Sequence, residues 1–166
     1  DNSGHRINQG TIVDATIVDA PKGRKKDDGT NTKDQDAGFT KKGGRYFHGY
    51  KIHVASDISG KFIKEAEITS ATVQDCSVFD QLTEKETKAV FADKAYVNRK
   101  KKKEFRQKGI FWGILDKNER YHKLSNKQDQ DNQQKSSVRC HVEHIFSWMK
   151  KTMKMRGVRF RGLRNN

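Results

Sequence analysis

Three acidic residues in this sequence stand where a carboxylate suits chemistry better than packing. Asp14 interrupts the apolar run TIVDATIVDA, Asp93 directly follows the apolar segment AVFA, and Glu143 lies at the edge of an amphipathic segment. An acid inside so apolar a strand costs several kcal/mol unless it is paired or binds a metal ion. Carboxylate oxygens are the ligands that hard cations such as Mg²⁺ and Mn²⁺ prefer. If the three acids meet, they predict metal-dependent phosphoryl transfer.

That chemistry has a defined requirement. Two cations about 3.5–4 Å apart can polarise a scissile phosphate, activate a water molecule and stabilise the leaving oxygen. Glu143 also has a simpler interpretation, because a surface glutamate four residues after Arg139 forms an ordinary ion pair on a helix. Other types of site find less support. His141 and His144 lack further zinc ligands at typical spacing, and the sequence contains neither a P-loop nor a dinucleotide-binding motif.

Alternating and apolar segments predict five strands, which must position two of these acids. The predicted strands are residues 11–20, the two arms of a hairpin over residues 46–71 with its turn at residues 57–60, Ala89–Ala92, and residues 110–115. The order of antiparallel strands followed by alternating strands and helices predicts the α/β class, with a mixed five-stranded sheet flanked by helices. Asp93 then stands at the carboxyl end of a strand, where open α/β sheets collect ligands.

The third acid requires a helix beside that sheet. Residues 137–156 predict one amphipathic helix whose apolar stripe leaves Glu143, Arg139 and Lys150 together at its edge. Residues 98–108 predict a very basic helix that ends at Gly109. Asp75 is predicted to cap a further helix.

The remaining segments carry less information. Residues 22–44 are predicted to form a flexible loop whose KKGGR tip is suited to phosphate contact, and residues 117–135 a polar linker. The two cysteines, Cys76 and Cys140, form no metal-binding or disulfide pattern and are predicted to be small buried residues.

The charge balance indicates the partner. A formal net charge of +14 and a pI near 9.8 favour a polyanion, with nucleic acid first. No apolar run approaches the length of a membrane span and no signal peptide is visible, so a soluble cytosolic protein is expected. The basic helix is either a solvated face or a surface for backbone phosphates. The candidate DNA-binding residues outside the amphipathic helix's R-x3-E-x6-K pattern are Lys94, Arg99, Lys100, Lys101, Lys102, Lys103, Lys151 and Arg156.

Several motifs occur together in an order typical of one family. The segments TIVDATIVDAP, HGYKIHVASD, EITSATVQD and VFADKAY, followed by R-x3-E-x6-K at Arg139, Glu143 and Lys150, resemble the catalytic domain of the DDE transposases of bacterial insertion sequences. The similarity extends over nearly the whole chain. It departs from one subgroup pattern at Ser136, where those members carry a tyrosine.

The resemblance implies a ribonuclease H-like fold and a site. Asp14, Asp93 and Glu143 would be the catalytic acids and the ligands of two Mg²⁺ ions, which Mn²⁺ can replace. Arg139 and Lys150 would hold transposon-end DNA near the point of cleavage.

The resemblance also implies which partners the protein binds and which part of a transposase this sequence represents. The expected partners are transposon ends and target DNA, bound by a homodimer or larger assembly at the bacterial nucleoid, with no membrane association. Residues 1–166 are expected to be a single catalytic domain, a fragment without the N-terminal DNA-binding region. Two alternatives stay open. One is a truncated DNA-binding remnant without catalysis, and the other is a ribonuclease H-like nuclease that acts on another nucleic acid.

Overall fold

A mixed sheet with helices on its faces positions the predicted acids. The computed structural model describes residues 9–29, 31–59, 61–83, 87–118 and 123–166. The strands are β1 (Thr11–Asp19), β2 (Gly38–Lys42), β3 (Arg45–Asp57), β4 (Ile63–Ser70), β5 (Ala89–Ala92) and β6 (Phe111–Ile114). The helices are α1 (Phe79–Thr83), α2 (Arg99–Gln107), α3 (Asn126–Arg139) and α4 (Val142–Lys151). Short 3₁₀ turns occupy Asp75–Val78, Lys94–Tyr96 and Leu163–Asn165.

The sheet has six strands in the order β2-β3-β1-β5-β6, with β4 also paired to β3. Strand β1 runs antiparallel to β3 and parallel to β5, and β5 runs parallel to β6. Besides β1, the long strand β3 pairs with β2 along its first part and with β4 along the rest. This mixed α/β architecture confirms the predicted class and is consistent with a ribonuclease H-like fold.

The two faces of β1 pack against different helices, because successive side chains of a strand point to opposite faces. Val13 belongs to a buried cluster with residues of α1, α2 and β6. Val18 lies in a second cluster with Ile145 and Met149 of α4. Asp14, which alternates with Val13, therefore shares the face that α4 covers.

Two segments predicted to be irregular contain regular structure. The predicted loop at residues 22–44 includes β2, so the sheet has one strand more than predicted. The predicted linker at residues 117–135 contains most of α3, which begins after Ser125 with a capping box to Gln128. No residue of α3 is buried. Its sequence therefore shows no repeating apolar face, which is the pattern that would have predicted a helix.

The predicted amphipathic helix at residues 137–156 is divided. Helix α3 ends at Arg139 and α4 begins at Val142, which leaves Glu143 in the first turn of α4. Cys76 and Cys140 are both exposed, contrary to the expectation of burial. The burial prediction failed because Cys140 lies at the break between the two helices rather than on a packing face.

Two smaller expectations concern turns. Asp75 does not cap a helix with its side chain, because Gln74 occupies the cap position and the Asp75 carboxylate pairs with Lys51 instead. The predicted turn at residues 57–60 includes Gly60, which lies outside the described residues. Asp57 accepts N–H groups of the segment that follows it, including that of Phe62 at 2.8 Å.

Among the described residues, no helix has the length and apolar character needed to cross a membrane.

Candidate active site

Asp14 and Asp93 lie side by side at one edge of the sheet. Strands β1 and β5 are parallel neighbours, and their register places Val13 beside Ala92. The next residue on each chain is an aspartate, so both acids stand at the same level on adjacent strands. They line a common pocket of about 220 Å³, which we call the acid pocket. The register of the two strands therefore brings together two acids that belong to separate motifs of the sequence.

The environment of Asp14 works against its negative charge. Its Oδ1 accepts the N–H of Ala15 at 2.8 Å, and its Oδ2 accepts a hydrogen bond from Arg139 Nη1 at 2.7 Å. Burial raises the pKa of Asp14 above the usual value for an aspartate, and the nearby Asp93 raises it further. The Ala15 N–H, Arg139 and Lys42 offset this rise only in part. A metal cation next to Asp14 would therefore reduce the free-energy cost of keeping its carboxylate ionised.

Asp93 is oriented by the backbone that follows it. Its Oδ1 accepts the N–H of Lys94 at 2.7 Å and caps the short 3₁₀ turn Lys94–Tyr96. One carboxylate oxygen is thus fixed by the chain itself. The turn also places Tyr96 in the wall of the same pocket, with its side chain almost fully buried.

Glu143 is held much less firmly than the two aspartates. Its side chain is 66% exposed, and its Oε1 lies 3.5 Å from Arg139 Nη2. Arg139 therefore bridges Asp14 and Glu143, and it stands between the first and third predicted acids. The contact is the i,i+4 pairing that the sequence offered as the simpler interpretation. Among the described residues, no group of three or more His, Cys, Asp or Glu side chains is arranged to hold a metal ion.

The two strand-borne aspartates nevertheless fit a divalent cation. Two carboxylates on adjacent strands, each with one oxygen on a backbone N–H, provide hard oxygen ligands at one place. Their mutual repulsion and the raised pKa of Asp14 are costs that a cation would remove. Glu143 could join such a site only if Arg139 moved from between them.

A second pocket, of about 500 Å³, lies between α4 and the β2–β3 hairpin. Four cationic side chains line it, and we call it the cationic pocket: Lys42, Lys150, Lys151 and Arg156. The pKa of Lys150 is lowered, first by burial and then by repulsion from Lys42 and Arg156, and Asp19 in the same pocket offsets part of this effect. Like charges gathered in this way favour an anion as the occupant. Lys150, Lys151 and Arg156 were predicted to bind DNA, and Lys42 belongs to the KKGGR tip that was predicted to suit phosphate contact.

The predicted DNA-binding residues on and before α2 divide into two groups, those that contact the fold and those that are exposed. Lys101 forms an ion pair with Asp80, and Lys102 lies 3.3 Å from Asp116. Four others are exposed on the surface that follows Asp93: Lys94, Arg99, Lys100 and Lys103. The helix therefore presents part of its basic sequence to solvent and uses part of it in contacts with the fold.

Sequence reasoning missed several residues at the acid pocket. Lys51 and Asp75 line it together with Asp14 and Asp93. The available signal was the position of Lys51 within β3, since a lysine in an alternating strand on the face of buried His53 is unusual. The contact with Asp75 joins residues far apart in sequence and becomes visible only in the fold.

A ribonuclease H-like sheet with two adjacent acids at one strand edge defines the class of this protein. The chain belongs to the transposase DDE domain family, whose sequence model matches residues 6–166. It is therefore a transposase domain, an enzyme class that acts on DNA and generally uses divalent metal ions.

Proposed function

We propose that this chain is the catalytic domain of an insertion-sequence transposase. It would cleave DNA at transposon ends and join the resulting 3′-hydroxyl to target DNA, with Asp14, Asp93 and Glu143 as its catalytic acids. The observation that carries the proposal is the placement of Asp14 and Asp93 on adjacent parallel strands at one pocket. Family membership supports the substrate class.

The acids would hold Mg²⁺ or Mn²⁺, with Glu143 completing the set. When bound, the two ions supply charge stabilisation for the phosphate and an activated water molecule. Arg139 pairs with Asp14 through the 2.7 Å contact and offsets part of the cost of its charge. Transfer of its guanidinium to a DNA phosphate would free Asp14 and Glu143 at the moment when substrate arrives. Guanidinium groups suit this exchange because they pair equally well with carboxylate and phosphate.

The surrounding cations would position the DNA. The cationic pocket lies on the α4 side of Asp14 and offers a place for backbone phosphates. The exposed lysines around α2 would extend this surface beyond Asp93. We further propose that the active form is a homodimer or larger assembly on paired transposon ends, at the bacterial nucleoid.

A cleavage assay on labelled end DNA tests the proposal. The wild-type chain should cut in Mg²⁺ or Mn²⁺ and not in EDTA, and Asp93→Asn should reduce the rate by on the order of 10³-fold. Asp129→Asn on the exposed face of α3 is the matched control and should cut normally.

The alternatives correspond to distinct results of the same assay. Binding of end DNA without cleavage by the wild type would support a non-catalytic remnant and overturn the proposal. Cleavage of RNA–DNA hybrids in preference to end DNA would support a nuclease of another substrate class.

A further inference from the structure

A largely buried cation, Lys51, lies in the wall of the acid pocket. Lys51 lies in the middle of β3 and lines the pocket with Asp14 and Asp93. Only 13% of its side chain is exposed. Its Nζ lies 2.9 Å from Asp75 Oδ1 and donates to the carbonyl oxygen of Val73 at 2.8 Å.

This arrangement is poorly explained by stability. Removing a lysine and an aspartate from water costs free energy that their attraction often fails to recover, and an apolar pair of similar size is frequently as stable. The strand face around Lys51 continues toward Val13 and Ala55, which belong to an apolar cluster. An apolar side chain at position 51 would therefore suit packing equally well. The ion pair indicates a use for the charge.

The hydrogen-bonding capacity of the pocket points to a missing acceptor. An ammonium group has three N–H donors. On Lys51 one is donated to the Val73 carbonyl, whereas Asp75 Oδ1, 2.9 Å from Nζ, is an ion-pair partner without hydrogen-bond geometry. The hydroxyl of Tyr96 in the same wall is buried and has no hydrogen-bond partner among the described residues. Burial, and then the charges of Asp75, Asp14 and Asp93, raise the pKa of Tyr96, so it stays a neutral donor. Two donors with spare capacity beside two acids suit an oxygen-rich ligand.

We propose that Lys51 is a substrate-contacting residue, which donates a remaining N–H to a non-bridging oxygen of the DNA phosphate positioned at Asp14 and Asp93. Asp75 and the Val73 carbonyl orient the ammonium group toward the pocket. A lysine suits this role because its charge is compact and can serve a phosphate that occupies only one point. The inference rests on the proposed function, since it takes a DNA phosphate as the ligand.

The test measures affinity rather than cleavage. End DNA is prepared with an ordinary phosphate or with one uncharged methylphosphonate at the cleavage position mapped in the assay above. Binding is measured in Ca²⁺, to keep the DNA intact. Lys51→Met should lower affinity for ordinary DNA about tenfold, which corresponds to about 1.4 kcal/mol. The methylphosphonate should weaken the wild type but cause little further loss in Lys51→Met, because the two changes remove the same contact.

Lys64→Met is the matched control. Lys64 is also a partly buried strand lysine, and it donates to the carbonyl of Gly10 and the hydroxyl of Thr11, both at 2.9 Å, at the opposite end of β1. Its substitution should change affinity less than twofold and leave the methylphosphonate effect intact. If Lys51→Met behaves like Lys64→Met, or if its loss simply adds to that of the methylphosphonate, the inference is overturned.

A second variant covers the case in which Lys51→Met does not fold. Asp75→Asn keeps the lysine but removes the carboxylate that orients it, so the methylphosphonate effect should shrink. An unchanged effect in that variant overturns the inference. Failure of the proposed function would be recognised separately, because the wild type would then fail to cut end DNA, whether or not it bound that DNA.

Discussion

The sheet half and the helix half of the candidate active site differ in how firmly the fold holds them. The sheet half consists of Asp14 and Asp93, and the helix half of Glu143, Arg139 and Lys150. Each aspartate follows a paired strand position and has one oxygen on a backbone N–H. Glu143 has one described contact, at 3.5 Å from a guanidinium, and points largely to solvent.

The difference follows from the kind of element that carries each acid. Hydrogen bonds on both sides of β1 fix its backbone, so the register of the strands sets the spacing of the aspartates. Glu143 stands in the first turn after a break between two helices, where small changes of orientation are inexpensive. Folding therefore fixes the sheet half, whereas under the proposed function ligands would complete the helix half. Arg139 contacts both Asp14 and Glu143, so we expect the two halves to be coupled through it.

The largest expected effect tests whether the loosely held acid belongs to the site. Glu143→Gln should reduce cleavage by on the order of 10³-fold, as Asp14→Asn should, because each removes a carboxylate from the reacting centre. DNA affinity should change less than twofold. Single-turnover cleavage and a binding titration measure the two quantities, with Glu104→Gln on α2 as the control. Normal cleavage by Glu143→Gln would reduce the active site to its sheet half.

A smaller effect is expected for DNA binding in the helix half. Lys150→Ala should weaken binding of end DNA about tenfold and reduce the slope of log affinity against log salt by about one, as loss of one phosphate contact requires. Lys42→Ala should do the same from the opposite wall of the cationic pocket. Lys108→Ala is the control, because Lys108 pairs with Glu104 on the exposed side of α2. Equal slopes for all three variants would contradict a specific anion site.

The bridging arginine should compete with metal ions. Arg139→Gln should increase the affinity for Mn²⁺ in the absence of DNA by about fivefold, since a unit charge at 4 Å is worth about 1 kcal/mol even in water. Titration calorimetry or the paramagnetic signal of Mn²⁺ would report it. Lys135→Gln is a close control on the same helix, because Lys135 pairs with Asp116 at 2.8 Å and is equally shielded. Unchanged Mn²⁺ affinity in Arg139→Gln would show that the two halves do not communicate through it.

The sheet half was also the part that the sequence could predict. Apolar runs around Asp14 and before Asp93 indicated strands, and the structure contains both. These signals are local, because alternation and burial act over a few neighbouring residues. The two acids are neighbours because β1 pairs with β5 in a parallel register. The α/β pattern of the sequence indicated the fold class but not that register.

The remaining features depend on contacts that no local pattern records. Strand β2 has a polar, glycine-containing sequence and forms because the long strand β3 offers it an edge. Helix α3 contains one apolar residue, Val138, and the break after Arg139 falls inside a stretch whose apolar periodicity continues without interruption. The contact between Arg139 and Asp14 spans most of the chain. It changed the interpretation of the arginine from a DNA contact alone to a bridge between acids.

The smallest expected effect is on stability, and its sign separates an acid kept for function from one kept for the fold. Burial raises the pKa of Asp14, so the folded state binds its proton more tightly than the unfolded state does. The favourable contribution of that proton is full below the unfolded pKa and is lost as pH rises through the raised pKa. Asp14→Asn should therefore match or exceed the wild-type melting temperature at pH 7, by no more than about 4 °C, and lose this advantage near pH 4.

Asp57→Asn should show the opposite sign. The Ser59 hydroxyl and the N–H groups of Phe62, Ser59 and Lys61 together outweigh burial and lower the pKa of Asp57. Its ionised form stabilises the fold above the unfolded pKa, and this contribution is lost as pH falls through the lowered pKa. The variant should thus melt below the wild type at pH 7, with the gap closing in acid. Circular dichroism melts from pH 3 to pH 8 would measure both variants. A destabilised Asp14→Asn at pH 7 would mean that Arg139 compensates Asp14 fully, and that the sheet half carries no strain for a metal ion to relieve.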